Sequence, residues 1–287
     1  MDANNLKYYL LLQSIEGIGP ATFQNLLENY KNPKAVFEAT FDELEKIPRL
    51  NQRIINEILR AKDKLDEMEK ILQQLYNRNI KVITKHDKSY PFVLNKISNA
   101  PSLLYLSRYL PNGKTFGIIG TRDASQYGKE QAYKFASELA RNGFIIVSGY
   151  AKGIDTAAHH GAVDNNQLTI AVLPTGILKF RLHEELKQSA DKFSSQAILL
   201  SEFFPLSEWS LANALLRNRI TAMLSDYLLV IEAADSGGTL STVEYATQYN
   251  KKVFILKGIN SIMNEKINSL GAVTINNISE LLNQLDR

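Results

Sequence analysis

The sequence predicts an α/β protein: a mostly parallel sheet with helices on both faces, preceded by a small all-helical N-terminal domain. Three observations predict it. Over residues 1–80, apolar side chains recur at the three- and four-residue spacing of amphipathic helices. From residue 81 onward the pattern becomes a series of short continuous apolar runs, most of them separated by helical stretches, the signature of a parallel sheet covered on both faces. The chain has 287 residues, 45% of them hydrophobic, enough for one large core or a medium core with a smaller one beside it.

The helical part comes first. Leu6, Tyr9 and Leu10 define one apolar stripe, and Phe23, Leu26 and Leu27 the next. Between them, in SIEGIGPATF, Gly17-Ile18-Gly19 breaks the periodicity and Pro20 opens a new helix, where its missing N–H costs nothing. The unit is helix–GIG–helix, the shape of a helix-hairpin-helix, and a glycine-free version follows at KIPRLNQRIINEI. Its loop N–H groups can hold a phosphate, and the same residues equally suit a plain helical hairpin. A charged amphipathic helix with Leu65, Met68, Leu72 and Leu75 on one face then leads to Asn79. The expected division is 1–80 for the helical domain and 81–287 for the core.

The apolar runs of the core are KVIT (81–84), FGIIG (116–120), FIIVSG (144–149), LTIAVLP (168–174), AILLSE (197–202), YLLVIEA (227–233), KVFIL (252–256) and AVTI (272–275). In sheets of this kind ligands bind beyond the carboxyl ends of the strands, near the switch in strand order, so the residues after each run matter most. The run 116–120 ends in Gly120 and is followed by Thr121, Arg122 and Ser125, then a helix from about Lys129. The run 144–149 ends in Ser148 and Gly149 and is followed by Lys152, Gly153 and Asp155, then a helix with Ala157, Ala158 and His159. Each turn offers small residues, a helix N-terminus and one cation, and the two together can hold a phosphate. The alternative is that Ser125 and Asp155 are ordinary N-caps and the cations are solvated. Arg217, Asn218 and Arg219 lie in the helical pattern that runs into YLLVIEA, a place that also suits a surface ion-pair cluster. After that strand, Gly237 and Gly238 permit a tight turn, Thr239 and Thr242 can bond an anion or cap a helix, and Glu244 sits one turn inside it.

Composition and missing motifs exclude several classes. With no cysteine there is no disulfide, thiolate zinc site or cysteine nucleophile. Four histidines without HExxH spacing give no metal expectation. Neither GxxxxGK[ST] nor GxGxxG occurs, which argues against P-loop hydrolysis and a dinucleotide cofactor, so no cofactor is expected. The net charge of +3 is too small to indicate nucleic acid by itself, so an anionic partner has to be met by a local patch. No apolar run approaches the roughly 20 residues that span a bilayer, and the polar start MDANNLKYY lacks the layout of a signal peptide. The expected location is cytoplasmic, with no membrane partner.

GIIGTRDASQYG, VSGYAKGIDTAAHHGA, TIAVLPTG, LLSEFFP, LLRNRITAMLSDYLLVIEA and SGGTLSTVEYA, preceded by YPFVLNKISNAPSLLYLS, follow one another in the order and at the spacing of a known family. The chain resembles the DprA/Smf DNA-processing proteins over about residues 80 to 260. That resemblance implies an extended Rossmann-like core, with residues 1–80 matching the family's small N-terminal domain of the SAM or helix-hairpin-helix kind. It implies a homodimeric, non-catalytic protein that binds single-stranded DNA and helps load the RecA recombinase onto it in DNA uptake and recombination. The positions that match the family's basic pocket are Gly120, Arg122 and Ser125, then Ser148, Gly149, Lys152 and Gly153, with Arg217, Asn218, Arg219, Thr239 and Thr242 shaping it further.

Departures from the family pattern are local. Lys152 stands where arginine is more usual, keeping the charge and losing the planar fork. Pro174 replaces a glycine, GILKFRLHEEL (176–186) lacks a Tyr-Pro element, and Lys179 and Arg181 can still supply charge there. Gly237 replaces a serine, and ISELLNQLDR at the end of the sequence leaves the expectation that the winged-helix-like C-terminal domain of many relatives is absent. Two other functions share the same pocket. Related phosphoribohydrolases use Gly-Gly-x-Gly-Thr-x-x-Glu, of which GGTLSTVE keeps Gly237, Gly238 and Glu244 but has Leu240 and Ser241 in place of glycine and threonine. A nucleotide sensor would bind a small phosphorylated ligand there.

Overall fold

A computed structural model describes residues 3–234, 237–258 and 262–285. Six helices come first: α1 (Ala3–Ser14), α2 (Pro20–Tyr30), α3 (Pro33–Glu38), α4 (Phe41–Glu45), α5 (Gln52–Arg60) and α6 (Leu65–Asn77). Their starts are written in the sequence. Pro20 follows Gly19 at the head of α2, the Asn32 and Asn51 side chains accept from Lys34 N and Ile54 N at 2.9 Å, and Thr40 forms a capping box with Glu43. The first hairpin turns at Gly17, φ +92°. Its glycine-free counterpart between α4 and α5 turns at Arg49, φ +70°, a left-handed conformation that a non-glycine residue rarely adopts.

Among the described residues nine strands follow: β1 (Lys81–Thr84), β2 (Leu103–Leu106), β3 (Thr115–Ile119), β4 (Ile145–Ser148), β5 (Thr169–Val172), β6 (Ala197–Ser201), β7 (Tyr227–Val230), β8 (Lys252–Leu256) and β9 (Val273–Ile275). The helices among them are α7 (Gln126–Arg141), α8 (Ile154–Asp164), α9 (Ala190–Gln196), α10 (Leu211–Leu224), α11 (Thr239–Gln248), α12 (Ile262–Ser269) and α13 (Ile278–Leu285). The sheet order is β1-β2-β6-β5-β4-β3-β7-β8-β9. From β6 to β9 every pairing is parallel, and β1 and β2 add an antiparallel edge. The sheet is Rossmann-like and mostly parallel, as the alternation of apolar runs and helices predicts. β2 is absent from the sequence expectation, and α7 begins at Gln126 rather than near Lys129.

Alternation along each strand divides the core. Phe116, Ile118, Ile146, Leu229 and Phe254 pack against Ala132 and Phe135 of α7, Ala158 and Ala162 of α8, and Leu281 of α13. On the other face Ile119, Leu228, Val230 and Val253 meet Ala222 of α10, Val243 and Ala246 of α11, and Ile267 of α12. The N-terminal helices share a third cluster with the sheet, running from Leu10, Phe23 and Phe37 to Leu103, Tyr105 and Leu173. Gln13 fastens this contact: it accepts from Tyr105 Oη at 2.5 Å and donates to the Glu202 carbonyl at 2.7 Å.

Topology locates the site. The chain winds from β3 outward through β4 and β5 to β6, then returns along α10 to place β7 on the other side of β3. The switch in strand order falls at β3, and its carboxyl end opens between the turns that follow β3, β4 and β7.

Candidate anion-binding groove

At that switch point a cleft of about 400 Å³ is lined by Gly120 and Arg122 after β3, Gly149 and Ala151 after β4, Arg217, Asn218 and Thr221 of α10, and Gly238, Thr239 and Thr242 at the start of α11. It continues past Arg122, Ala151 and Arg217 into a second lobe of about 440 Å³, walled by Tyr150, Lys152, Lys179, Phe180, Arg181, His183 and Trp209. The two lobes make one groove across the carboxyl ends of the central strands.

Arg217 lies at the junction. It is 4% exposed, its Nη1 donates to the Val172 carbonyl at 3.1 Å, and its Nε has no partner. A Cβ on Gly149 would collide with its guanidinium, so only glycine lets the arginine lie against that turn. Burial pushes the Arg217 pKa down to about 10 and the charge of Asp155 opposes the shift, so the group stays protonated at neutral pH. One turn further along α10, Thr221 lines the same cleft and its hydroxyl is likewise buried without a partner. Positions i and i+4 of a helix share a face, which places both residues on the same side of α10. Unpaired buried polar atoms are uncommon, and each one calls for a ligand, a water or a strain explanation. Asn218 fixes the opposite wall: its Nδ2 donates to the Gly238 carbonyl at 2.9 Å and to Ser241 Oγ at 2.8 Å.

Two side chains at the mouth meet the neighbouring loop. The Arg122 guanidinium stands 5.4 Å above the ring of Trp209, which is 52% exposed. Lys179 pairs with Glu208 at 2.5 Å. Tyr150 sits between β4 and α8 at φ +53°, with its ring 4.2 Å from that of His183.

The structure brings Gly120, Arg122, Gly149, Lys152, Lys179, Arg217, Asn218, Thr239 and Thr242 into the groove. Four other predicted residues lie outside it. Ser125 is the N-cap of α7: its Oγ accepts from Gly128 N at 3.0 Å and donates to Glu232 Oε2 at 2.8 Å, so its hydroxyl is already used. Ser148 is fully buried and donates to the Ile118 carbonyl at 2.6 Å. Gly153 packs beneath the Thr121 and Arg122 carbonyls at φ +79°. Arg219 is fully buried in an ion pair with Glu202 and donates to Asn99 Oδ1 at 3.0 Å, holding α10 to the end of β6. The sequence reading omits Trp209, Thr221, Tyr150 and Glu208. Of these only Trp209 carries a sequence signal, as the single tryptophan, placed just ahead of the arginine-bearing helix.

Asp155 and Glu244 complete the inventory. Asp155 is buried and accepts from Ala151 N at 3.2 Å; burial pushes its pKa up, and Arg217 pulls in the other direction. Glu244 is exposed on α11 and is not part of the lining of either lobe. Among the described residues no cluster of histidine and carboxylate side chains is placed to hold a metal ion, and no helix is long and apolar enough to cross a membrane.

Fold and groove together define a Rossmann-like α/β protein with an arginine-lined cleft at the switch point of its sheet. More narrowly, the chain belongs to the family of DNA recombination-mediator protein A, whose model matches residues 81–286. A model of a SAM-like helix-hairpin-helix tandem matches residues 9–61. The chain is 31% identical over 255 residues to Protein Smf of Synechocystis sp., a match that covers 87% of this chain and 64% of that protein. It thus spans about two thirds of the length of this curated relative. The crystal structure of DNA processing protein A from Streptococcus pneumoniae superposes with a TM-score of 0.74 at 26% identity, over 96% of both chains. A solved structure of DNA processing protein A from Helicobacter pylori, described for its single-stranded DNA binding mode, superposes with a TM-score of 0.60 at 26% identity, over 72% of this chain and 95% of that one.

Proposed function

We propose that this protein binds single-stranded DNA through the sugar–phosphate backbone in the switch-point groove, without catalysing a reaction, and that it mediates loading of the RecA recombinase onto the bound strand. The observation that carries this reading is the pairing of a mouth arginine, Arg122, with a buried arginine, Arg217, whose Nε is left without a partner in the same cleft. Contacts from arginine, lysine and backbone N–H groups to phosphates give affinity without reading sequence. Lys152 and Lys179 extend the charge along the second lobe, and the exposed ring of Trp209 beside Arg122 offers a surface on which a base can stack. The exposed position of Glu244, away from the groove lining, speaks against a hydrolase built on that residue. In this reading residues 1–80 are a helical domain and 81–287 the DNA-binding core, the protein acts in the cytoplasm, and it pairs with a second copy of itself.

Fluorescence anisotropy with a labelled oligothymidylate of about 20 nucleotides, repeated over a salt series, tests the assignment. Arg122→Ala is expected to weaken binding by about 10- to 100-fold, the loss of one charge-assisted contact, and to lower the salt slope by about one phosphate. Unchanged affinity and slope would remove Arg122 from the interface.

A further inference from the structure

We propose that Glu232 is the positioning residue for Arg122: from just beyond β7 it fastens both ends of the turn that carries the arginine to the mouth of the groove. The inference rests on the single-stranded-DNA reading and names the residue that holds its mouth contact in place.

Arg122 is exposed, and its guanidinium rests on the ring of Trp209, which is itself half exposed. The place of that guanidinium therefore follows from the backbone of residues 121–125, the turn that leaves β3 and enters α7. A surface turn keeps one conformation only where something fastens it. Glu232 meets this turn twice. Its carbonyl accepts from Thr121 N at 2.8 Å, where the turn leaves the sheet. Its carboxylate accepts from Ser125 N at 3.1 Å and from Ser125 Oγ at 2.8 Å, where the turn enters the helix. The second pair are bonds to an ionised acceptor, the stronger kind. Among the described residues Glu232 forms no salt bridge, so the turn, not a cation, is what its carboxylate holds.

Two glycines make room for Glu232, an observation independent of those bonds. A Cβ on Gly120 would stand 2.6 Å from the Glu232 carbonyl oxygen, and one on Gly128 would collide with Glu232 Oε2. Neither glycine has a positive φ, so close approach rather than backbone conformation is what calls for glycine there. Gly120 admits Ile154 as well, whereas at Gly128 the nearest atom is the Glu232 carboxylate oxygen. From the α8 side Gly153 backs the Thr121 and Arg122 carbonyls. The turn is thus packed from beneath by Gly153 and tied at its two ends by one residue, and Arg122 lies between the ties.

A double-mutant cycle between Glu232 and Arg122, read by anisotropy with the labelled oligothymidylate at low salt, tests this. Glu232→Ala is expected to weaken binding by about 10-fold, and by less than about twofold in the Arg122→Ala background, because a positioning residue acts only through the group it positions. Glu232→Gln keeps an oxygen that can accept both Ser125 bonds and is expected within about threefold of the unmodified protein. Gly128→Ala reaches the same carboxylate from the helix side. Alanine is the better helix former, while its methyl displaces the flexible end of Glu232; binding about fivefold weaker is expected, with a thermal midpoint within about 4 °C of the unmodified protein. Retained affinity in Glu232→Ala while Arg122→Ala still loses binding overturns this inference and leaves the DNA reading standing. Losses that add in the double variant, or a Gln variant as weak as the Ala variant, also overturn it. Tighter binding in Glu232→Ala overturns it too, because the carboxylate would then be repelling the strand. Failure of the unmodified protein to bind the oligothymidylate overturns both.

Discussion

Arg217 and Arg219 lie two residues apart in α10 and point to different sides of it, and burial alone does not distinguish them; their partners do. Arg219 has its guanidinium met by Glu202, Asn99 and the Leu216 carbonyl, whereas Arg217, which lines the cleft, has a buried Nε without a partner. Removing one member of a buried ion pair leaves the other charge uncompensated, so Arg219→Ala is expected to cost about 3–5 kcal/mol of stability. Denaturant unfolding measures that loss, and anisotropy on the folded protein is expected to show unchanged affinity. Glu208 acts in the opposite sense. Its pair with Lys179 is solvent-exposed, 76% on the glutamate side, and such pairs contribute little to stability. It nevertheless holds a cation of the groove that a phosphate would otherwise take. Glu208→Gln is therefore expected to tighten oligothymidylate binding by about two- to fivefold at low salt, with the gain fading as salt screens the exposed charge. An unchanged or weaker affinity would show that Lys179 lies off the path of the strand.

Among the elements, the parallel strands are legible in the sequence because each is a continuous apolar run between helical patterns, and both faces of such a strand are buried. Leu103–Leu106 is equally apolar and fully buried, yet it stays hidden as a strand because no helix pattern follows it and its partners are antiparallel. The start of α7 shows why the anion site is only half legible. Ser125 reads as a hydroxyl at a helix N-terminus, and nothing near it in sequence reveals that Glu232, 107 residues later, claims it. The same holds for Arg219, whose partner Glu202 is 17 residues earlier but becomes a neighbour only because β6 and α10 pack together. Arg122, Gly149 and Lys152 are found because they follow parallel strands in turns that combine small residues with a cation, whereas Arg217, inside a helical pattern, is assigned to the pocket only through the family resemblance. Thr221 is visible only once α10 is known to turn the Arg217 face toward the cleft.

Across the whole molecule, one chain of contacts joins the helical region to the groove: Gln13 of α1 holds the Glu202 carbonyl, the Glu202 carboxylate holds Arg219, and Arg219 sits two residues from Arg217 on α10. The fold also carries a pH dependence. His159 is fully buried, and its Nδ1 lies 2.7 Å from Thr169 Oγ1, which itself donates to the Ile146 carbonyl; the imidazole therefore carries its proton on Nδ1. Burial, helped by His183 and Arg217, pushes its pKa from 6.5 down to about 3. In that window the unfolded chain binds a proton that the folded protein refuses, so stability present above pH 6.5 falls as pH drops toward 3, by up to about 1.4 kcal/mol per pH unit from this group. Denaturant unfolding between pH 7 and 4 is expected to show a shallower loss in His159→Gln than in the unmodified protein. In the proposed function the groove takes a flexible single strand, whose backbone can bend into the switch-point cleft as a stiff duplex cannot. Competition between an oligothymidylate and a duplex of equal length, followed by anisotropy, tests this most directly. Preference for the single strand by about tenfold or more, lost in Arg122→Ala, is the predicted result; equal binding of strand and duplex, or a preference that survives Arg122→Ala, would contradict it.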